Sequence, residues 1–405
     1  MVAIALLGFW LFILLGNYVL KGKFFFEGNA LVQEINFTYA GEKDQQQFLN
    51  TISGIKKIDL EGSQPEPLVL TGKFSSADPT LNQQISKLDR LSIQLPYAQS
   101  RFILTPATSV TPATSVTPAT SVIPAKLAPA SELNILDLRL LQNSQVNQLA
   151  YQTQRHQLSF CLQTATALQS NCRFSADEQP TQTNPTSVST LQLVLGQQPL
   201  TVDVESIGLE QLGIKASRDD SQPLSFQFIP NKTELLLTLL SPTHLYIDLP
   251  SIPSKPNASS DRPTDWLRGD LDVEKVNFIR FENTGNTNDE ITASTILNGE
   301  VRMGRETMKL QPNQFLVVAS KPGITKLRYI QIQSKSPQGL KTLFFGESDS
   351  LAVGLYPKFP VQRIEPSWLS KNLSQEAINA ILSFVAALTG FFLPRLFPDS
   401  SKPNS

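Results

Sequence analysis

Histidine and cysteine are scarce in this chain, with two of each in 405 residues. Two thiols and two imidazoles are too few for the four-ligand sets that hold structural zinc, and His156 has no ligand pattern around it. An imidazole base needs a nucleophile or carboxylate in reach, and neither His156 nor His244 lies in a recognisable motif. The Gly-x-Ser-x-Gly elbow, the GxxxxGK[ST] phosphate loop and HExxH are also missing, which excludes their established chemistries. No catalytic residue, metal or cofactor is therefore expected. Charge is scarce too: Asp, Glu, Lys and Arg make up 17%, with a net charge of −1, against roughly 25% in an average soluble protein. Lys56-Lys57 is only a pair, and Arg302, Arg305 and Lys309 are spread along a hairpin. Without a longer basic cluster or an aromatic platform, nucleic acid is not an expected partner.

What the chain does have is an apolar run at its start. Val2 to Leu20 carries no charge, and the first charged residue is Lys21. At 1.5 Å per residue, such a helix covers the roughly 30 Å core of a bilayer. The run lacks a basic n-region and an Ala-x-Ala cleavage site, so an uncleaved signal-anchor is expected rather than a removed signal peptide. The missing basic flank also suggests a true start upstream of Met1. Phe24, Phe25 and Phe26, after Lys21 and Lys23, suit an interfacial belt.

A second apolar run, Ile378 to Leu393, answers the first. Ser374 can cap it and Glu376 suits its first turn; continued to Phe397, with Arg395 snorkelling, it also reaches about 30 Å. Its polar positions, Asn379, Ser383 and Thr389, are too mild for a surface-lying amphipathic helix. Ala386 and Gly390 form a small-xxx-small pair suited to packing on Val2 to Leu20. Two spans put residues 24–373 on one side of the bilayer. Lys21, Lys23, Arg363 and Lys371 against Arg395 and Lys402 mildly favour a cytoplasmic middle, but long loops follow that rule poorly. The low lysine content and the strand-rich pattern favour the outside, which is the side expected here.

Between the spans, short period-two runs are bounded by Pro, Gly, Asn and Asp, without long helical patterns, which argues for antiparallel sandwiches or barrels. One short helix is expected from Pro79 to Leu88, with Leu81, Ile85 and Leu88 on one face. The expected order is an anchor at 1–23, a small β-rich domain at 24–104 and a Pro/Thr/Ser linker at 105–130. A sandwich-like domain follows at 131–250, with a mobile loop at Thr181 to Ser189. A shorter linker at 251–263, a second β-rich domain at 264–373, a transmembrane helix at 374–397 and a tail at 398–405 complete the chain. The first linker holds TPATSV three times over, too polar and proline-rich to pack a core. The fold class is mainly β, with antiparallel sandwich-like domains flanked by two transmembrane helices. Within the second β-rich domain, LNGEVRMGRETMKLQPNQFLVVAS reads as strand, Gly304 turn, strand, Pro312-Asn313, strand. This passage resembles a β-hairpin in the periplasmic part of FecR-type regulators; the resemblance covers about two dozen residues and implies only that local strand–turn geometry.

Few candidate sites remain. Cys161 and Cys172, in HQLSFCLQTATALQSNCRF, suit two strands joined by a polar turn, hence a disulfide in an oxidising compartment. Asp270, Asp272 and Glu274 fall on one face of a strand opposite Leu271 and Val273, either as its solvent face or as oxygen ligands or paired acids. Asp203 and Glu205 read as another solvent face, and Asp219-Asp220 as a turn. Asn36, Asn231, Asn257 and Asn372 are Asn-x-Ser/Thr sequons. The expected function is non-catalytic: an extracytoplasmic (periplasmic or luminal) envelope scaffold, accessory or sensor protein, with the lipid bilayer and an unknown protein as partners. The alternative is a membrane-anchored enzyme acting on an envelope polymer through paired carboxylates.

Overall fold

A computed structural model describes residues 23–107, 133–165, 186–215, 223–250, 265–283, 290–333 and 336–366. Beyond these it describes 374, 376–377, 379–381, 383–384, 386–387 and 391. The first group of strands is β1 (Phe24–Val32), β2 (Glu34–Tyr39), β3 (Gln45–Leu49), β4 (Lys57–Gly62), β5 (Leu68–Ser75), β6 (Arg90–Ile93) and β7 (Arg101–Pro106), with helix α1 (Pro79–Ile85) before β6. A second group holds β8 (Asn134–Leu141), β9 (Ser144–Gln152), β10 (Gln157–Thr164), β11 (Ser187–Val194), β12 (Leu200–Glu205), β13 (Leu224–Pro230), β14 (Glu234–Leu240) and β15 (Thr243–Asp248). The third runs through β16 (Asp265–Asn277), β17 (Ile279–Asn283), β18 (Glu290–Ser294), β19 (Ile296–Met303), β20 (Glu306–Leu310), β21 (Phe315–Val318), β22 (Gly323–Gln333), β23 (Gly339–Ser348), β24 (Leu351–Gly354) and β25 (Gln362–Ile364).

Every strand pairing is antiparallel, and alternation of apolar and polar residues decides which face of each strand is buried. One ladder of sixteen strands runs β20-β19-β1-β23-β22-β16-β2-β9-β10-β15-β4-β7-β12-β13-β5-β6. A four-stranded sheet, β14-β11-β8-β3, has its Leu-rich face in the same core as the ladder. Edge-to-face rings join the two: Phe48 on β3 meets Phe37 on β2 at 5.6 Å and Phe160 on β10 at 5.9 Å. This is a sandwich. Smaller sheets, β21-β24-β25 and β17-β18, accompany the other end of the ladder.

Strands from the three β-rich stretches of sequence are interleaved. β1 pairs not with its neighbours in sequence but with β19 and β23. Gly28 permits that position, because a Cβ there would lie 2.4 Å from the buried Phe344 ring. β1 also corrects the expected aromatic belt: Phe24 and Phe26 are buried, and only Phe25 points outward, where it stacks on Phe345 at 5.8 Å. Alternation along a strand splits three consecutive rings between two faces.

Other boundaries shift for local reasons. The alternating stretch at residues 31–39 breaks at Gln33, so it serves two strands in different parts of the ladder. Thr105 and Pro106 belong to β7 rather than to the linker, facing Thr201 and Leu200. Ser187 to Ser189 belong to β11 rather than to a loop, and the rest of that expected loop, to 185, lies outside the described residues. Helix α1 ends at Ile85, one turn shorter than expected; Asp78 caps it by accepting from the Thr80 amide at 2.8 Å, and Leu81 and Ile85 are buried.

The expected first span, Val2 to Leu20, lies wholly outside the described residues, as do most of both linkers. The expected second span is described only in part; the described positions from 376 to 391 are helical, and Ser374 Oγ accepts from the Ala377 amide at 3.1 Å. Among the described residues no helix is long and apolar enough to cross a membrane.

Candidate functional site

The ladder changes partners at β16, which joins β22 on one side and β2 on the other. At this seam both neighbours of β2 are irregular. Lys275 in β16 and Gln148 in β9 take left-handed φ values of 53° and 55°, conformations that cost non-glycine residues energy. Asn36 on β2 holds both irregularities. Its Oδ1 accepts from the Gln148 amide at 2.7 Å, and its Nδ2 donates to Asn277 Oδ1 at 3.0 Å and to the Ile279 carbonyl at 2.8 Å. Beside it, buried Glu34 accepts from Arg280 Nε at 3.0 Å. Burial pushes the Glu34 carboxyl above its ordinary range, against the opposing pull of Arg280.

The seam opens into a cleft of about 1170 Å³. Lys23, Lys43, Lys275 and Lys321 line it together with Glu42, Asp272, Glu274 and Glu347, so the wall is balanced in charge. Tyr39 closes the floor: its ring is buried and its hydroxyl donates to the Lys43 carbonyl at 3.1 Å. Burial raises its phenol, and the carboxylates Asp272 and Asp44 add to the rise. Opposite charges here are satisfied locally. Asp272 pairs with Lys326 at 3.5 Å, Asp270 with Arg328 at 3.4 Å and Glu274 with Lys275 at 3.8 Å.

The three acids singled out in the sequence thus do face outward while Leu271 and Val273 are buried. Asp272 and Glu274 reach the cleft, but each acid is engaged by a cation rather than converging on one point. No cluster of three or more metal-ligating side chains occurs among the described residues. The arrangement can hold a ligand bearing both signs of charge. It presents no nucleophile–base pair among its lining residues.

A second polar assembly, built by register, escaped the reading of the sequence. Across β10, β15, β4, β7 and β12, one row runs Cys161, His244, Glu61, Arg101, Glu205, and the next runs Ser159, Tyr246, Asp59, Ile103, Asp203. Arg101 grips Asp59 with two hydrogen bonds, at 2.8 and 2.7 Å, and Lys57 adds a third contact at 3.0 Å. Burial alone would raise the Asp59 carboxyl, but the hydrogen bonds from Arg101 and Lys57 outweigh it and hold it below the usual range. Glu61 moves the other way: burial raises it, Arg101 opposes, and Asp59 and Glu205 assist. Asp203 and Glu205 stand on this face. Its only sequence signal was the alternation in KIDLE, HLYID and VDVE; which strands lie side by side was not encoded locally.

The remaining candidates are placed as follows. Cys161 is fully buried on β10 and disulfide-bonded; Cys172, the only other cysteine of the chain, lies outside the described residues. His156 Nδ1 meets the Tyr151 hydroxyl at 2.9 Å, and the His244 ring stacks on Tyr246 at 6.1 Å. Asn36 is buried and fully engaged at the seam, which removes it as a glycan acceptor in the folded protein; Asn231 is exposed, and Asn257 and Asn372 lie outside the described residues. Asp219-Asp220 also lies outside them. Arg302, Arg305 and Lys309 sit on the β19–β20 hairpin and are exposed. Comparison with protein-family models, curated proteins and solved structures finds no match for this chain.

Proposed function

We propose that this chain is a non-catalytic membrane protein, held at both ends by the apolar segments Val2 to Leu20 and Ile378 to Phe397. Its β-rich body would work as an extracytoplasmic envelope scaffold, accessory or sensor protein through protein contacts. One observation carries the two-anchor part of this reading: both flanks of the body leave from the same end. Phe24 faces Ser348 across β1 and β23, and Ile364 faces Leu351 across β24 and β25. Paired Cα atoms lie about 5 Å apart, and the three residues from 348 to 351 span at most about 11 Å. Residues 24 and 364 are therefore within roughly 21 Å of each other, which is compatible with two segments entering one bilayer. The helical positions before Phe397 support the second anchor, since Phe384 is 65% exposed.

Exposed sheet faces and a charge-balanced cleft suit recognition. An enzymatic reading draws on Asp272 and Glu274 in the cleft wall, but each lies beside a cation, Lys326 at 3.5 Å and Lys275 at 3.8 Å. The decisive experiment combines alkaline extraction of membranes with a topology reporter inserted near Ala113 and thiol labelling of Cys161 and Cys172. Retention in the membrane, an extracytoplasmic reporter and two thiols that label only after reduction are expected. Extraction into the supernatant would remove the anchors, and a cytoplasmic reporter with freely labelled thiols would move the body to the other side.

A further inference from the structure

Among the described residues, strand β14 forms one edge of the four-stranded sheet and pairs with β11 alone. The Leu195 amide donates to the Thr233 carbonyl at 2.7 Å, which sets the phase of the ladder. In an antiparallel pair the main-chain groups of alternate residues turn toward the partner. Leu235 and Leu237 therefore turn theirs to β11, and Glu234, Leu236 and Thr238 turn theirs to the open side. Beyond that edge lies a groove of about 820 Å³, lined by Leu235 to Thr238 on one wall and by Pro67, Leu68, Val69 and Arg90 on the other.

Edge strands of this kind invite pairing, and proteins usually blunt them with charge, proline or a bulge. β14 opens on the exposed Glu234, and the irregularity of its ladder lies on β11 between Ser187 and Ser189; from Leu235 to Ser241 the sequence is LLLTLLS, with neither charge nor proline. The inner side chains Leu235 and Leu237 are buried, yet Leu236 is 67% exposed. An open main-chain ladder specifies an extended strand as its occupant, and the side chains select which strand.

We propose that β14 pairs antiparallel with β14 of a second copy of this chain, about a two-fold axis at Leu236. Only outward-turned residues can exchange hydrogen bonds across such an interface, so the allowed registers differ by steps of two. The register centred on Leu236 sets that exposed leucine directly against its own mate, an apolar cross-strand pair. It places Glu234 opposite Thr238 and Lys232 opposite Leu240, so no like charges face each other. Shifting toward Glu234 would set Leu236 against that carboxylate and lose the match. The contact is isologous and closes at two copies. It does not depend on whether the chain ends enter a bilayer.

The test uses the full-length chain in density-matched detergent. Sedimentation equilibrium should give twice the chain mass for the wild type, and one chain mass for Leu236→Lys and for Thr238→Pro with unchanged circular dichroism. Leu236→Cys adds a positional readout. Residues opposite each other in a hydrogen-bonded pair have Cα atoms about 5.5 Å apart, inside the range a disulfide spans. Mild oxidation should cross-link Leu236→Cys into a covalent dimer and leave Thr238→Cys, which faces Glu234, largely monomeric. A monomeric wild type would overturn the self-pairing and leave the edge to a strand of another protein. Equal cross-linking at 236 and 238 would overturn the register.

Discussion

At the scale of single residues, Glu34 shows how the seam is balanced. Its side chain is 7% exposed, while its partner Arg280 is 43% exposed. The cation keeps contact with water, and the carboxylate bears most of the desolvation. A carboxyl raised in the folded state binds its proton more tightly there than in the unfolded chain. Its stabilising contribution is thus complete below the unfolded value, near 4.5, and is lost as pH rises through the folded value. Asp59 has the opposite sign: held low by Arg101 and Lys57, it stabilises above its unfolded value and loses that contribution on acidification. Comparing Glu34→Gln with wild type isolates the first effect. Gln keeps an oxygen for Arg280 but does not titrate, so its stability relative to wild type should rise as pH goes from 4.5 to 8, on top of a pH-independent offset from the weakened contact with Arg280. Thermal melts across that range check the slope. A difference flat with pH, or one that falls as pH rises, would contradict this account.

Elements were legible in the sequence where alternation was strong and the ends were marked by Gly, Pro or Asn. β12 (Leu200–Glu205) and β20 (Glu306–Leu310) are two such runs. β3, with sequence QQQFL, was invisible because only Phe48 and Leu49 are apolar, and those two are what it buries. What the sequence could not show was partnership. β1 sits between β19 and β23, some 270 and 310 residues away, and the polar rows around Asp59 exist only through such long-range register. For the same reason the cleft was not foreseeable, since Tyr39 and Asp272 meet only once β2 and β16 pair.

The TPATSV repeat gives an element-scale prediction. β7 ends at Pro106 and β8 begins at Asn134. Removing one six-residue repeat leaves the same Thr-Pro to finish β7, because the repeats are identical. About twenty residues would then remain, reaching up to about 66 Å, far beyond the roughly 10 Å between facing sheets. Loop-closure entropy changes by only about 0.2 kcal/mol. The deletion should leave the melting temperature unchanged; a clear loss would mean that the repeat contributes contacts of its own.

For the whole molecule, the route of the chain matters more than any single contact. β1 enters the middle of the ladder's far section first, and β23, β24 and β25 return the chain to the same place. Around that point Ser348, Ser350 and Arg363 are linked: the Ser348 hydroxyl donates to the Ser350 carbonyl at 2.8 Å, and Arg363 donates to the Ser350 hydroxyl at 3.2 Å. Phe24 at the start of β1 and Ile364 at the end of β25 are thus tied to the same short stretch, residues 348–351. The distance between the flanks is directly measurable. Spin labels at Lys23→Cys and Glu365→Cys, placed in a background where Cys161 and Cys172 remain bonded, should give a narrow distribution centred below about 40 Å, the backbone bound extended by one residue at each end plus two label arms. The same distribution is expected in detergent and in lipid, since strand pairing rather than the bilayer sets it. A broad distribution in detergent that sharpens only in lipid would assign the closure to the membrane, and a long distance in both would break the two-post arrangement.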